Sequence, residues 1–453
     1  MLRLSLLALT LLGASLTFVT SADAPKAPAK KKKAAKKPPV PRNATPAEAI
    51  ATLPDFKIEL LQTADPTTEG SWICLGKDGS GRLIIGGQRS QPMLRVTLEN
   101  GQVKTTDKLD LPITEAMGLL WAFDSLYVNG AGPKGFGLYR CRDTKGNGQF
   151  DDVQFLKRFD GGGEHGPHGI ALGPDRKLYI VNGNHTRVPE GMSADSPHRN
   201  YREDLLLPRQ WDGNGHAAGV LAPGGYVVRT DADGKHWEFL LAGFRNAYDL
   251  AFSPEGELFT FDSDMEWDWG MPWYRPIRVN HCVSAAEFGW RSGTGKWPAT
   301  YPDSLPAVVD VGVGSPTGVT FGTGAKFPAK YQRALYVLDW TYGRILAVHL
   351  KPDGSSYSGT FENFVAPAGL VGKGARLPLN VTDAVIGDDG AMYFTVGGRN
   401  TQAALYRVSY TGKESTAPAP KSTEGGCGRA LRHRLERFHG KADPAAVAEA
   451  WPR

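Results

Sequence analysis

Residues 161–169 read Gly-Gly-Gly-Glu-His-Gly-Pro-His-Gly, which sets Glu164, His165 and His168 in a run of glycines. Glycine lets backbone approach a bound molecule closely, and an imidazole can take up a proton near neutral pH. Three roles fit the two histidines: general base, a metal pair lacking a third ligand, or hydrogen-bonded structural groups. Downstream, Gly243-Phe244-Arg245-Asn246 places a guanidinium beside an amide. The guanidinium fork donates two parallel hydrogen bonds and suits a carboxylate- or quinone-bearing ligand. A salt bridge to Asp249 or to a neighbouring element is the alternative. Asp262, Asp264 and Asp268 fall at even spacing, so in an extended chain their carboxylates share one side and can gather around a hard cation such as calcium. Trp267, Trp269 and Trp273, with Trp290, Trp297 and Trp340, offer flat faces that stack on sugar rings or fill space between sheets. A second acidic run places Asp143, Asn147, Gly148 and Asp151 as a calcium loop would. Lys145 and Gln154 stand where further carboxylates belong, so this run reads as a turn.

The elements that must position these groups are visible as repetition. Six times a hydrophobic β-run, a turn built on Asp-Gly or a relative, and a second β-run recur, starting at Trp72, Gly118, His168, Tyr248, Thr317 and Thr382. Each phrase is a hairpin signal, and one hairpin unit cannot bury its apolar faces alone. Six such units without intervening amphipathic helices predict an all-β fold, a six-bladed β-propeller. Innermost strands of a propeller line its central channel, so residues just before each phrase should converge at one mouth. These include Glu115, His165, His168, Arg245, Asn246 and Ser315, with Asn380 and Asp383 in the sixth unit. The widest gap between phrases holds a polar insertion over residues 188–222, expected to project from one rim and cover the mouth.

The flanks read differently. Residues 1–24 form a signal peptide: Arg3, an apolar run at 4–12, and Ala22 and Ala24 at the cleavage positions. Residues 25–44 are a Lys/Ala/Pro-rich linker that buries nothing. The propeller is expected over 45–412, a second linker over 413–428, and a short helical tail over 429–453. The formal charge of +5 divides as +8 on residues 1–42, +3 on 413–453 and −6 on 43–412. A mildly acidic body excludes a nucleic-acid footprint. No stretch is long enough for a stable membrane span, so the chain is expected to be exported to the periplasm or outside the cell. The four cysteines lie at no metal-ligand spacing, and the chain has no haem-attachment motif. Export allows a disulfide, while three of the four equally suit small buried positions in strands.

The pattern Gly243-Phe-Arg-Asn before an apolar strand resembles the soluble quinoprotein glucose/sorbosone dehydrogenases. So does a histidine shortly before Gly173-Pro-Asp-Arg-Lys-Leu-Tyr179, and so does Phe288-Gly289-Trp290. The resemblance covers about residues 55–410. It implies a six-bladed propeller holding pyrroloquinoline quinone over calcium, with His165 as the base that removes the substrate hydroxyl proton. Arg245 and Asn246 would contact the cofactor, with His168, Asn380 and Asp383 nearby. The chain departs from that pattern where Asn380-Val-Thr-Asp383 replaces an Arg-x-Arg-Asp and Thr341 replaces a lysine, so three cations are missing. Phrases at 315–328, 338–343 and 383–395 are similar to large exported membrane-bound dehydrogenases, in which such a propeller precedes HEAT-like repeats and a cytochrome c domain. That implies a cytochrome c as electron acceptor and a tail at 429–453 that begins the helical repeats. Two other functions stay open: a non-catalytic carbohydrate- or protein-binding propeller, and a calcium-dependent lactonase using Glu115, Asn246 and Asp383.

Overall fold

The computed structural model describes residues 43–199, 211, 216–263, 275–293, 295–296, 300, 304–439 and 441–450. The repeated turns form because a short polar side chain replaces the missing backbone partner. Asp78 Oδ1 accepts the N–H of Ser80 and of Arg82, and Asp389 Oδ1 accepts that of Ala391. Such Asx turns reverse the chain within two residues, and the alternating runs on either side pair as antiparallel strands.

Among the described residues six sheets of four or five strands result, blades 1 to 6, beside a two-stranded ribbon of Trp290–Arg291 and Gly295–Lys296. Their innermost strands are Trp72–Lys77, Thr114–Ala122, Pro167–Leu172, Leu250–Phe252, Pro316–Phe321 and Val381–Ile386. Each packs against the next, and the sixth packs against the first, so the ring is closed. The two ends of the folded body fasten it: Phe56–Thr63, from the start, is the outermost strand of blade 6 and pairs with Ala404–Tyr410. Ile50–Thr52 adds a fifth strand to blade 5. Six buried apolar clusters fill the wedges, one between each pair of adjacent blades. Burying each large side chain there contributes about 1.5–3 kcal/mol. Trp72, Trp290, Tyr226 and Tyr406 are wholly enclosed. Cys74, Cys141 and Cys282 are buried thiols and Cys427 is exposed; none is in a disulfide. The acidic run at 143–151 is a turn, with Asp143 accepting the N–H of Asn147 and Gly148 and Lys145 paired with Asp151.

The tail helix Gly426–Glu436 starts three residues before the expected 429. Gly425 takes a left-handed φ of 67°, and Gly428 packs on Gly354, where a Cβ would lie 2.6 Å from a carbonyl oxygen. Small residues thus let the helix begin directly against a blade 5 turn. Arg432 and His433 meet the buried Glu257 of blade 4, which also accepts from His281 at 2.7 Å. A second helix spans Pro444–Ala450. No helix among the described residues is long and apolar enough to cross a membrane.

Candidate functional site

Five of the six inner strands, all but Leu250–Phe252 of blade 4, share one irregularity near the mouth end. Register shifts fall at Trp72/Cys74, Thr114/Gly118, Pro167/Ile170, Pro316/Val319 and Val381/Asp383. A bulge re-aims side chains, and here it separates two layers. Ile73, Met117, Tyr248, Thr317 and Thr382 floor a cavity that opens to solvent. One residue further on, Cys74, Gly118, Gly169, Asp249, Gly318 and Asp383 occupy equivalent strand positions. Asp249 and Asp383 line a second cavity, on the other side of Tyr248 and Met117.

Those two carboxylates stitch the ring. Asp249 accepts the N–H of Leu250 at 2.8 Å and of Val319, in the next blade, at 2.9 Å. Asp383 does the same with Ala384 and with Leu75, both at 2.7 Å. The neighbouring position must be glycine: a Cβ on Gly318 would meet Asp383 Oδ1 at 2.7 Å, and one on Gly169 would meet Asp249 Oδ1 at 2.2 Å. Burial raises the pKa of both carboxyls, and the charge of Asp249 raises that of Asp383 further.

The mouth is built by loops sewn to one another. His185 N–H donates to His165 O and Gly183 N–H to Gly166 O, while Asn184 N–H donates to Arg245 O at 3.0 Å. Gly183 makes this approach feasible, because a Cβ there would sit 2.4 Å from Asn246 Oδ1 and 2.6 Å from His165 O. His165 lines the mouth at 7% exposure. Its Nδ1 donates to Asn184 Oδ1 at 2.6 Å, which leaves the lone pair on Nε2. Burial, and then the nearby Arg245 guanidinium, hold its pKa well below the usual imidazole value, so the ring is neutral at pH 7.

Arg245 is 2% exposed and donates from Nη1 to Ser263 Oγ at 3.1 Å. The wholly buried Asp262 fixes the segment: it accepts the N–H of Arg245 at 3.1 Å and of Asn246 at 2.9 Å. Asn246 donates to Glu164 O at 2.9 Å. Across the mouth, Arg399 pairs with Glu164 and lies over the Trp340 ring at 5.1 Å. Trp340 Nε1 donates to Gly397 O at 2.7 Å.

The structure places His165, Arg245 and Asn246 together in the lining of the mouth. His168 is elsewhere: it is fully buried, bonds Ala247 O through Nδ1 at 3.1 Å and stacks on Tyr248, so it props the floor and does not line the mouth. Asn380 stands behind the mouth, donating to Trp340 O at 3.2 Å. Asp383 lines the second cavity, apart from Glu115 and Asn246, so the lactonase trio is not assembled. Asp262 has its oxygens on backbone amides; Asp264 and Asp268 lie outside the described residues, as do Trp267, Trp269, Trp273 and Trp297. Arg399 was not foreseen, although Gly397-Gly-Arg-Asn400 repeats the Gly-x-Arg-Asn of residues 243–246. His185 and His216 were also missed. They pack on His165, each with ring centroids 4.7 Å away.

No protein-family model matches the chain, and no curated protein matches it. Solved structures do. A Thermus thermophilus protein described as an oxidoreductase (glucose dehydrogenase) is 19% identical with a TM-score of 0.54, covering 78% of this chain and 99% of its own. The PQQ-bound aldose sugar dehydrogenase of Streptomyces coelicolor is 16% identical at TM-score 0.51, over 79% of this chain and 100% of its own. The PQQ domain of Coprinopsis cinerea pyranose dehydrogenase is 12% identical at TM-score 0.53, over 82% and 98%. At these identities the likeness is one of fold, that of a six-bladed propeller.

Proposed function

We propose that the mouth binds a quinone of the pyrroloquinoline type and that the chain there oxidises a hydroxyl of a sugar or sugar-like alcohol. The observation that carries this reading is the meeting of His165, Arg245, Asn246 and Arg399, from three blades, over a floor of Ile73, Met117, Tyr248, Thr317 and Thr382. The donor set suits an aromatic polycarboxylate. Two guanidiniums can take carboxylates, and Trp340 with Ile73, Met117 and Tyr248 offers apolar surface to fused rings. Arg399 supplies one cation from a loop where the family pattern gave no reason to expect it.

The quinone, when bound, supplies the hydride acceptor. Arg245, braced by Asp262 and Ser263, would orient it. Arg399 would exchange its half-exposed partner Glu164 for a ligand carboxylate at little cost, since pairs so exposed are worth about 0–1 kcal/mol. His165 Nε2, with Asn184 fixing the tautomer, would accept the hydroxyl proton. Calcium has no such support among the described residues, since Asp262 is engaged by the Arg245 and Asn246 amides. The leader-like residues 1–24 support export to the periplasm or beyond, where a cytochrome c would take the electrons.

Dye reduction by the quinone-loaded protein across a panel of aldoses and alcohols tests the reading. His165→Gln should lower kcat by about 10²–10⁴ while leaving quinone uptake intact. Failure of the wild type to reduce dye with any substrate, or full turnover in His165→Gln, would overturn it.

A further inference from the structure

We infer that His165, His185 and His216 form a binding site for a divalent first-row transition metal ion in the wall of the mouth. The three imidazoles come from three segments: the turn Gly163–His165, the loop after Leu178–Asn182, and the insertion that precedes Gly225–Thr230. One ring nitrogen from each lies within 4.8 Å of the other two. Metal–nitrogen bonds of about 2.0–2.1 Å in a tetrahedral site put ligand nitrogens roughly 3.3 Å apart, so side-chain rotation by an ångström or so closes the set. Backbone bonds already hold two of the segments in place, His185 N–H to His165 O at 3.1 Å and Gly183 N–H to Gly166 O at 2.8 Å.

Two further observations point to a ligand. His165 Nδ1 donates to Asn184 Oδ1, the second-layer bond that fixes a metal-binding imidazole with its Nε2 lone pair outward. His185 Nε2 is buried without a hydrogen-bond partner, a state that native proteins avoid unless something else meets the atom. A set of three imidazole nitrogens disfavours calcium and magnesium, which take oxygen, and suits zinc, copper, nickel or cobalt. Of the three, His165 also lines the mouth cavity, so an ion on this site would sit beside the mouth. The guanidinium of Arg245 nearby favours an anion there, such as hydroxide or a carboxylate. This site does not depend on the quinone reading. The two meet at His165 Nε2, which cannot hold an ion and accept a proton at once.

The test uses the full, untagged chain, stripped with chelator and titrated with Zn²⁺ by calorimetry and with Co²⁺ by visible absorption. One ion per chain is expected, with the intense visible bands of four-coordinate cobalt and a rise in the melting temperature on zinc addition. His185→Ala and His216→Ala should each weaken binding at least tenfold. His236→Ala, at an exposed turn, should leave it unchanged. His185→Gln supplies a second variant should the alanine change unfold the chain, and it too should lose binding. Absence of stoichiometric binding, weak bands of six-coordinate cobalt, or full affinity in folded His185 and His216 variants would each overturn the site.

Discussion

Asp262 separates a structural carboxylate from a metal-binding one. It is wholly buried, and its Oδ1 accepts both Arg245 N–H and Asn246 N–H, with Oδ2 at 3.2 Å from the former. Alanine would orphan two buried donors at about 1–3 kcal/mol each and leave a void, for a total of about 3–5 kcal/mol. Asparagine keeps Oδ1, and with it both amide bonds. It forfeits the carboxylate's attraction for the buried Arg278 guanidinium, so its cost is about 1–2 kcal/mol. Urea unfolding of Asp262→Ala and Asp262→Asn measures the difference, expected to be about 1–4 kcal/mol in favour of asparagine. Quinone affinity should follow the same order, because this segment carries Arg245. Equal losses in the two variants, or an alanine variant within about 1 kcal/mol of wild type, would refute the reasoning. A calcium-dependent wild type, with asparagine as damaging as alanine, would restore Asp262 as a metal ligand.

Three other outcomes are expected. Gly318→Ala should destabilise by about 1–3 kcal/mol through contact with Asp383, whereas Gly162→Ala, extended and with open space at its Cβ, should stay within about 0.5 kcal/mol by denaturant titration. Arg399→Met should change fold stability by less than about 1 kcal/mol yet weaken quinone binding about tenfold or more, as loss of a charge-assisted bond requires. Burial alone would raise the pKa of Glu257, but its hydrogen bond from His281 and the charges of Arg432 and His433 lower it to about 2. Its stabilisation is therefore complete above the ordinary carboxylate value near 4.5 and is lost as pH falls toward about 2. Limited acid proteolysis should release the tail helix in that window, and Glu257→Gln should release it already at pH 6.

The blades were legible because each is announced locally, by turn residues such as Asp78 and Asp389 and by the alternation around them. His165, Arg245 and Asn246 were legible because they sit in loops entering inner strands. Arg399 and Ser263, which line the mouth, and His185 and His216, which pack on His165 there, were not. They lie on connections between the second and third strands of their blades, and antiparallel strands return those connections to the same face as the entering loops. Sequence order hides this, since such residues follow a hydrophobic run where the entering ones precede it. Asp383 was misplaced for a different reason. The bulge in the inner strand sets its side chain one layer down, where it joins blade 6 to blade 1 instead of facing the mouth.

Titration of the purified chain with pyrroloquinoline quinone, followed by quenching of tryptophan fluorescence, probes most directly whether distant loops make one binding site. Saturable one-to-one uptake in the micromolar range is predicted, weakened in both Arg245→Met and Arg399→Met. No uptake, or uptake indifferent to both arginines, would contradict it.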